Sequence, residues 1–316
     1  MILQIFLLII GFIFLIKGAD VFVDGASATA QNFKVSKVLI GLTIVAFGTS
    51  APELAVSLQA LAKGSTDMVL GNVIGSNIIN VLLILGVGAL IHPIVVKQNT
   101  VRKELPLCVL ISTLLAVLFL DQEINSYHVN TISRSDAFAI ILFFAVFLYY
   151  IISISRNKID EDEEVSKYKT GTAILFTFLG LVAIIFGSDI VVNSASSIAK
   201  SLGVSERLIS LTIVALGTSL PELVTTVVSS LKREQDILLG NIIGSNIFNI
   251  CLVLGIPVAI FGSITPSSFQ MIDIVMLVLS SVILFVFAKT DKKITKYEGL
   301  ALICMFVIYY SLVFVI

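Results

Sequence analysis

Residues 18–54 read GADVFVDGASATAQNFKVSKVLIGLTIVAFGTSAPEL, and residues 187–223 read GSDIVVNSASSIAKSLGVSERLISLTIVALGTSLPEL. When the two stretches are aligned at an offset of 169 residues, 21 of the 37 positions are identical. At the same offset, GNVIGSNIIN at residues 71–80 matches GNIIGSNIFN at residues 240–249. A constant offset over this length indicates that one structural unit has been duplicated within the chain.

The composition around these repeats is typical of a membrane protein. Of the 316 residues, 57% are hydrophobic and 13% are charged, and the mean hydropathy is +1.07. Soluble domains carry about 45–50% apolar and about 25% charged residues. The composition therefore argues against a soluble enzyme and against a disordered chain. With 20 basic and 21 acidic residues, the chain also has no basic field that would attract nucleic acid.

The apolar runs are long enough to span a bilayer, which takes about 20 mostly apolar residues per helix. They predict ten transmembrane helices, at residues 2–30, 36–62, 68–91, 103–120, 136–155, 170–200, 206–231, 237–262, 269–289 and 296–315. Five helices per copy force the second copy to enter the membrane the other way round. The sequence thus predicts an all-α polytopic membrane protein with two inverted five-helix repeats, at 1–155 and 170–316, joined by a short loop at 156–169. Inverted repeats are typical of secondary transporters.

The loop charges predict how the chain is oriented. Cytoplasmic loops of membrane proteins carry an excess of Lys and Arg. One side of the predicted spans collects Lys34, Lys37, Lys97, Arg102, Lys103, Arg156, Lys158, Lys167, Lys169, Lys232, Arg233, Lys289, Lys292, Lys293 and Lys296. The other side carries Lys63, Arg134, Lys200 and Arg207. We therefore expect a multi-pass protein of the cell (inner) membrane, with both termini outside and the 156–169 loop in the cytoplasm.

Each GTSxPE segment inserts polar residues and a proline into the middle of an apolar span. Proline lacks a backbone N–H and frees a carbonyl one turn back, in the first copy around Ala46 to Thr49. Thr49 and Glu53 are four residues apart, so they share one helix face, with Ser50 beside it. In the second copy the freed carbonyls lie around Ala215 to Thr218, and the equivalent side chains are Thr218, Ser219 and Glu222.

The two mid-span carboxylates indicate a function. A carboxylate at the bilayer centre costs roughly 2.5–3.5 kcal/mol. The alternative is a kinked packing helix in which Glu53 pairs with a basic residue, but no Lys or Arg occurs at matching depth in the two helix pairs. If the copies come together, Glu53 and Glu222 converge with hydroxyl and carbonyl oxygens. Such a set binds hard cations, and Ca²⁺ takes about 6–8 oxygens.

The GNxxGSNxxN segments supply further oxygen donors. Ser76 and Asn80 are four residues apart, as are Ser245 and Asn249, so each pair shares a helix face. The glycines of these segments permit close helix contacts, so simple packing is the alternative. Capping or bracing of broken helices is an open alternative for Asn72, Asn77, Asn241 and Asn246.

Charged residues also lie near one end of the long first span. We expect Lys17 to pair locally with Asp20 or Asp24, and a role of these aspartates in gating ion access is the alternative.

The paired GTS[A/L]PE and GN[V/I]IGSNxxN motifs resemble the α-repeats of the calcium/cation antiporter superfamily, and among its members the prokaryotic Na⁺/Ca²⁺ exchangers. The resemblance covers essentially the whole chain. It implies ion sites formed by helices 2, 3, 7 and 8, and alternating access in which helices 1 and 6 slide against the other eight. Carried over by position, the implied ion ligands are Ala46, Thr49, Ser50, Glu53, Ser76, Asn80, Ala215, Thr218, Ser219, Glu222, Ser245 and Asn249.

The expected function is exchange of Na⁺ for Ca²⁺, which is electrogenic if more than two Na⁺ move per Ca²⁺. Some relatives carry Asp where this chain has Asn249, and this departure argues against K⁺ co-transport and against proton coupling through a third carboxylate. Open alternatives are a Ca²⁺/H⁺ or other cation/Ca²⁺ antiporter of the same superfamily and a passive cation channel. Without an H-E-x-x-H motif or a Ser/His dyad, we expect no enzymatic activity. We also expect no cofactor, nucleic acid or protein partner, only Ca²⁺, Na⁺ and the lipid bilayer.

Overall fold

The structure is a computed structural model that describes residues 2–120, 122, 124, 129–155, 166–204, 215–265 and 271–315. The helices of the described residues are α1 Ile2–Phe33, α2 Lys37–Thr49, α3 Ala51–Ala62, α4 Thr66–Ile91, α5 100–119, α6 Arg134–Ser155, α7 Thr170–Ser201, α8 Ala215–Thr218, α9 Leu220–Leu231, α10 Gln235–Phe261, α11 Met271–Thr290 and α12 Lys296–Val315. Two short strands, β1 Ile94–Val95 and β2 Lys293–Ile294, pair in antiparallel fashion.

Most of these helices are long and apolar enough to cross a membrane. Within the described residues, seven helices meet this condition, and the bent pair α2–α3 makes an eighth span. The α-helical part of α5 has 15 residues and α9 has 12, so these two are shorter. The first residues of the predicted span at 206–231 lie outside the described residues. The structure therefore confirms the helical class, with seven or eight apolar spans in the described residues, and the count of ten spans stays a prediction.

The two GTSxPE segments break their helices at equivalent residues. Ser50 separates α2 from α3, which are bent by 42°, and its φ and ψ are −85° and 3°. Ser219 separates α8 from α9 with φ −88° and ψ 5°. Pro52 and Pro221 lie in the first turn of the following helices, where the missing N–H has no helical partner to lose. The predicted loosening by proline is thus a complete break between two helices.

Four stretches of helix widen into π-helical turns. They are Gly41–Val45 in α2, Ile79–Leu85 in α4, Thr100–Glu104 in α5 and Asn249–Leu254 in α10. π-Helical turns are rare in proteins, and where they occur they often lie at functional sites. Those of α4 and α10 contain Asn80 and Asn249, which the duplication predicts to be equivalent site residues.

The chain divides into two compact units. The first consists of Met1–Pro52 with Lys158–Asn241, and the second of Glu53–Asn157 with Ile242–Ile316. Each unit thus takes residues from both copies of the duplication. The boundaries 1–155, 156–169 and 170–316 describe the duplication itself and stay a prediction.

A glycine seam joins α1 and α7 in the first unit. A Cβ on Gly18 would lie 3.1 Å from the carbonyl oxygen of Gly180, and one on Gly11 would lie 3.1 Å from that of Gly187. Residue numbers fall along α7 as they rise along α1, so the helices are antiparallel. Phe22 is buried in the apolar core beside this seam.

The second unit is held together by a strand pair and by close helix contacts. Ile94 of β1 lies opposite Ile294 of β2. The hydroxyl oxygens of Ser112 in α5 and Ser281 in α11, two residues at the 169-residue offset, are 2.9 Å apart.

The predicted local ion pair of Lys17 is wrong. Lys232 Nζ lies 2.8 Å from Asp20 Oδ1 and 2.6 Å from Asp24 Oδ1. It also donates to the Asp20 carbonyl oxygen at 2.7 Å. Because an ammonium group carries three protons, one lysine satisfies all three oxygens. Contacts with Tyr168 and Asp24 raise the pKa of the Lys167 ammonium nearby.

We predict that Gly25→Ala destabilises the protein, because a Cβ at Gly25 would lie 2.4 Å from the backbone nitrogen of Thr177. The expected loss is about 1–3 kcal/mol of unfolding free energy, measured by thermal unfolding of the purified protein in detergent. Gly171→Ala is the matched control, since no atom lies within 4 Å of its added Cβ. Equal melting temperatures for the two variants would contradict the tight seam.

Candidate functional site

The residues predicted to bind ions lie inside the protein. Glu53 and Glu222 are each only 1% exposed. Thr218 is half-buried, and the side chain of Ala215 is not among the described ones. The other buried members of the predicted set are Ala46, Thr49, Ser50, Ser76, Asn80, Ser219, Ser245 and Asn249.

In the first unit, the two GTSxPE segments meet. The Ser50 hydroxyl, from the break between α2 and α3, donates to Glu222 Oε1 over 3.1 Å. Glu222 lies in the first turn of α9, directly after the break at Ser219. A hydroxyl of the first copy therefore contacts the carboxylate of the second.

The Thr49 hydroxyl contacts a residue whose role the sequence left open. Thr49 Oγ1 donates to Asn241 Oδ1 over 3.1 Å, whereas the Ala46 carbonyl oxygen is 3.4 Å away. A hydroxyl has one proton. That proton can face only one of the two acceptors, and Asn241 Oδ1 is the nearer of them. The duplication singled out Asn241 as the equivalent of Asn72, but no sequence pattern predicted that its partner is Thr49.

In the second unit, Glu53 lies in the first turn of α3, and Asn72 of α4 fixes that turn. Asn72 Nδ2 donates to the carbonyl oxygen of Glu53 and to Ser57 Oγ, both over 2.9 Å. Ser76 follows Asn72 one turn further along α4. The amide of Asn72 thus ties the backbone of one predicted ligand to the helix that carries another. The sequence left open whether Asn72 caps or braces a broken helix, and the structure shows that it braces one.

Several amide groups also lie in the interior of the second unit. Asn80 Nδ2 donates to Asn246 Oδ1 over 3.0 Å, and Asn77 donates to the Val73 carbonyl oxygen over 2.7 Å. Among the described residues, Asn80 Oδ1 and both polar atoms of Asn249 are buried without a hydrogen-bond partner. A buried polar atom without a partner costs about 1–3 kcal/mol. Amide oxygens in this situation are suited to coordinate a cation.

The chemistry of this donor set selects hard cations. The described part of the chain contains no group of three or more His, Cys, Asp or Glu side chains arranged to hold a metal ion. Carboxylate, hydroxyl, amide and carbonyl oxygens are the ligands that Ca²⁺ takes, whereas transition metals favour imidazole and thiolate.

Fold and side chains together define the class: a polytopic helical membrane protein with buried oxygen donors of the kind that hard cations prefer. Residues 3–153 and 172–315 match the family described as sodium/calcium exchanger protein, and the chain belongs to this family.

The similar proteins include relatives from Escherichia coli and Methanosarcina acetivorans. Inner membrane protein YrbG of Escherichia coli is 37% identical, over 89% of this chain and 87% of that protein. Sodium/calcium exchanger MaX1 of Methanosarcina acetivorans is 32% identical, over 98% of both chains. A solved structure of the sodium-calcium exchanger NCX_Mj, soaked with Na⁺ in zero Ca²⁺, superposes with a TM-score of 0.87 at 30% identity, covering 98% of each chain.

We predict that Asn72→Ala lowers the unfolding free energy by about 1–3 kcal/mol, because it removes both hydrogen bonds of the amide and leaves the buried Ser57 hydroxyl without that donor. Thermal unfolding in detergent measures the loss. Asn99→Ala, at an exposed asparagine, serves as the control. If Asn72→Ala melts like the control, the amide does not brace the turn of Glu53.

Proposed function

We propose that the protein is a secondary active transporter that exchanges Na⁺ for Ca²⁺ across the cell membrane by alternating access. The observation that carries this proposal is the hydrogen bond between Ser50 and Glu222, which joins one copy of the duplicated motif to the carboxylate of the other inside an apolar helical unit. Membership of the sodium/calcium exchanger family supports the same function.

The proposed ligands are the oxygens of the twelve residues selected from the sequence. Burial of Glu53 and Glu222 supports the assignment because an ionised carboxylate away from water requires a compensating positive charge. In the second unit, the buried side-chain oxygens of Asn80 and Asn249, which have no hydrogen-bond partner among the described residues, also support the ligand assignment. The full proposed set is Ala46, Thr49, Ser50, Glu53, Ser76, Asn80, Ala215, Thr218, Ser219, Glu222, Ser245 and Asn249.

Asn241 is proposed as a positioning residue that acts through Thr49. By accepting a hydrogen bond from the Thr49 hydroxyl, it holds that hydroxyl in an orientation in which the oxygen can bind the ion and the proton does not face the Ala46 carbonyl. The Ser50 N–H donates to that carbonyl over 3.0 Å. A carbonyl oxygen has two lone pairs, so the second remains for a cation.

Charge balance explains why the two ions exchange. One Ca²⁺ neutralises the two carboxylates, whereas Na⁺ must enter as several ions that use the same oxygens. Na⁺ and Ca²⁺ then compete for the site, and the protein changes its access from one side of the membrane to the other with either Na⁺ or Ca²⁺ bound. With more than two Na⁺ per Ca²⁺, each cycle moves net charge, so the membrane potential contributes to the driving force.

We further propose ten spans arranged as two inverted repeats. The glycine seam supports this arrangement because Gly11 pairs with Gly187 as Gly18 pairs with Gly180, and each residue of one pair is 169 residues from a residue of the other. Such reciprocal pairing is the mark of a two-fold relation. The antiparallel course of α1 and α7, the equivalent first helices, supports inversion. The seam also joins the two helices that are proposed to slide together.

The proposed location is the cell (inner) membrane, with both termini outside. The name of the relative YrbG supports an inner-membrane location. The orientation follows from the excess of Lys and Arg on the predicted cytoplasmic side. Lys37, Lys167 and Lys232, assigned to that side from sequence, cluster with Asp20, Asp24 and Glu234.

We predict that Glu53→Gln and Glu222→Gln each abolish exchange, because a neutral amide no longer balances Ca²⁺. The assay is uptake of labelled Ca²⁺ into proteoliposomes loaded with Na⁺, with K⁺ or with acid. Wild-type uptake is expected only with internal Na⁺. Asp291→Asn, at an exposed carboxylate, is the control. Persistent uptake by either glutamine variant would overturn the site, and uptake driven by acid instead of Na⁺ would establish a Ca²⁺/H⁺ antiporter.

We predict that Asn249→Asp makes exchange pH-dependent, because a third buried carboxylate takes up a proton as pH falls and then competes with the ions. Initial rates from pH 5 to 9 measure the effect; the variant is expected to lose activity on the acidic side of the range relative to wild type. Asn99→Asp is the matched control outside the site. Identical pH profiles and ion selectivity for wild type and Asn249→Asp would show that Asn249 takes no part in ion binding.

A further inference from the structure

The short strand pair of the second unit brings two basic segments together. In addition to the pairing of β1 with β2, the Val96 N–H donates to the Lys292 carbonyl oxygen over 2.8 Å. This joins residues 97–103, which lead into α5, to residues 289–296, which connect α11 to α12. We call their exposed basic side chains the basic face: Lys97, Arg102, Lys103, Lys289, Lys292, Lys293 and Lys296.

The basic face carries a large excess of positive charge. Within residues 97–103 and 289–298, the carboxylates are those of Asp291 and Glu298. Glu298 accepts hydrogen bonds from the backbone and hydroxyl of Thr295, at the start of α12. These two segments thus carry seven basic side chains and two carboxylates, and one of the carboxylates caps a helix.

Several basic residues of the first unit form ion pairs, in contrast to three residues of the basic face. Lys37 pairs with Glu234, and Lys232 bridges two aspartates. In the described part of the chain, by contrast, no ion pair involves Arg102, Lys292 or Lys293. Charge that is concentrated and left without internal compensation favours an external anion.

The surroundings of the basic face match the boundary between water and lipid. It lies where α5 and α12 begin and where α11 ends, so three membrane helices share this end. Tyr297 is 86% exposed and Val95 is 53% exposed beside the charges. Lys103 lies over the ring of Tyr150, 5.9 Å from its centroid. Tyrosine and basic side chains together are typical of the interface at which lipid headgroups lie.

From this geometry we propose that the basic face binds anionic phospholipids through their headgroup phosphates. Clusters of Lys and Arg at the cytoplasmic ends of membrane helices provide the opposite charge. The exposed tyrosine and valine provide contacts for the glycerol and upper acyl region, which a free phosphate does not have. The proposal is independent of ion exchange, because it concerns a different surface and binding is measured without an ion gradient.

The test is a titration of the full-length protein in detergent with dioleoyl phosphatidylglycerol or dioleoyl phosphatidylcholine, with bound lipid counted by native mass spectrometry. We expect phosphatidylglycerol to bind more tightly than phosphatidylcholine. We also expect added salt to weaken the binding of phosphatidylglycerol. Lys292→Gln/Lys293→Gln is expected to weaken phosphatidylglycerol binding about 30-fold, from about 1 kcal/mol per basic residue. The strand contact of Lys292 is made by its backbone, so it survives the substitution.

Lys63→Gln/Lys200→Gln removes two charges elsewhere in the chain and is the matched control. Arg102→Gln/Lys103→Gln tests the other segment of the basic face, and thermal unfolding checks that each variant is folded. Equal binding of the two lipids, or an equal loss in the control variant, would overturn the proposal. Displacement of phosphatidylglycerol by inorganic phosphate at equal concentration would overturn the assignment to a lipid.

Discussion

A carboxylate held away from water is stable only while a positive charge or a proton compensates it, and this constraint governs the structure around Glu53 and Glu222. Both side chains are 1% exposed. Both lie in the first turn of a helix that starts after a break, where backbone N–H groups lack helical partners and favour negative charge. The break therefore positions the carboxylate and lowers its electrostatic cost. In the proposed function, a bound cation supplies the compensating positive charge.

The breaks depend in turn on tight packing around them. A Cβ at Gly41 would lie 2.8 Å from the Ile237 carbonyl oxygen, so α2 and the start of α10 approach each other backbone to backbone. This approach brings Thr49 within reach of Asn241. Close glycine contacts and hydroxyl–amide hydrogen bonds replace the hydrophobic driving force that lipid surroundings do not provide between helices. Small residues thus allow the polar side chains of these helices to approach each other.

Much of this arrangement could be predicted from the sequence, because its signals are local. Proline without an N–H fixes where the helices break, and the duplication shows that Ser50 and Ser219 are equivalent. The partners of side chains could not be predicted in the same way. Asn72 and Asn241 are the same residue at equivalent positions, yet one donates to a backbone carbonyl and the other accepts from a threonine.

Contacts between distant residues were also beyond sequence reasoning. Lys17 is near Asp20 in sequence, but Lys232 binds Asp20 and Asp24 from the turn after α9. The pairing of β1 with β2, two residues in each strand, lies in loops with no clear strand pattern. The division into two compact units, each with residues of both copies, depends on many such contacts.

If Na⁺ and Ca²⁺ use the same oxygens, as we propose, equilibrium binding of labelled Ca²⁺ to the purified protein at rising Na⁺ tests this most directly. We predict that the apparent Kd for Ca²⁺ rises more steeply than the first power of Na⁺ concentration, while the number of Ca²⁺ sites stays constant. A Kd that does not change with Na⁺, or a loss of Ca²⁺ sites at constant Kd, would contradict it.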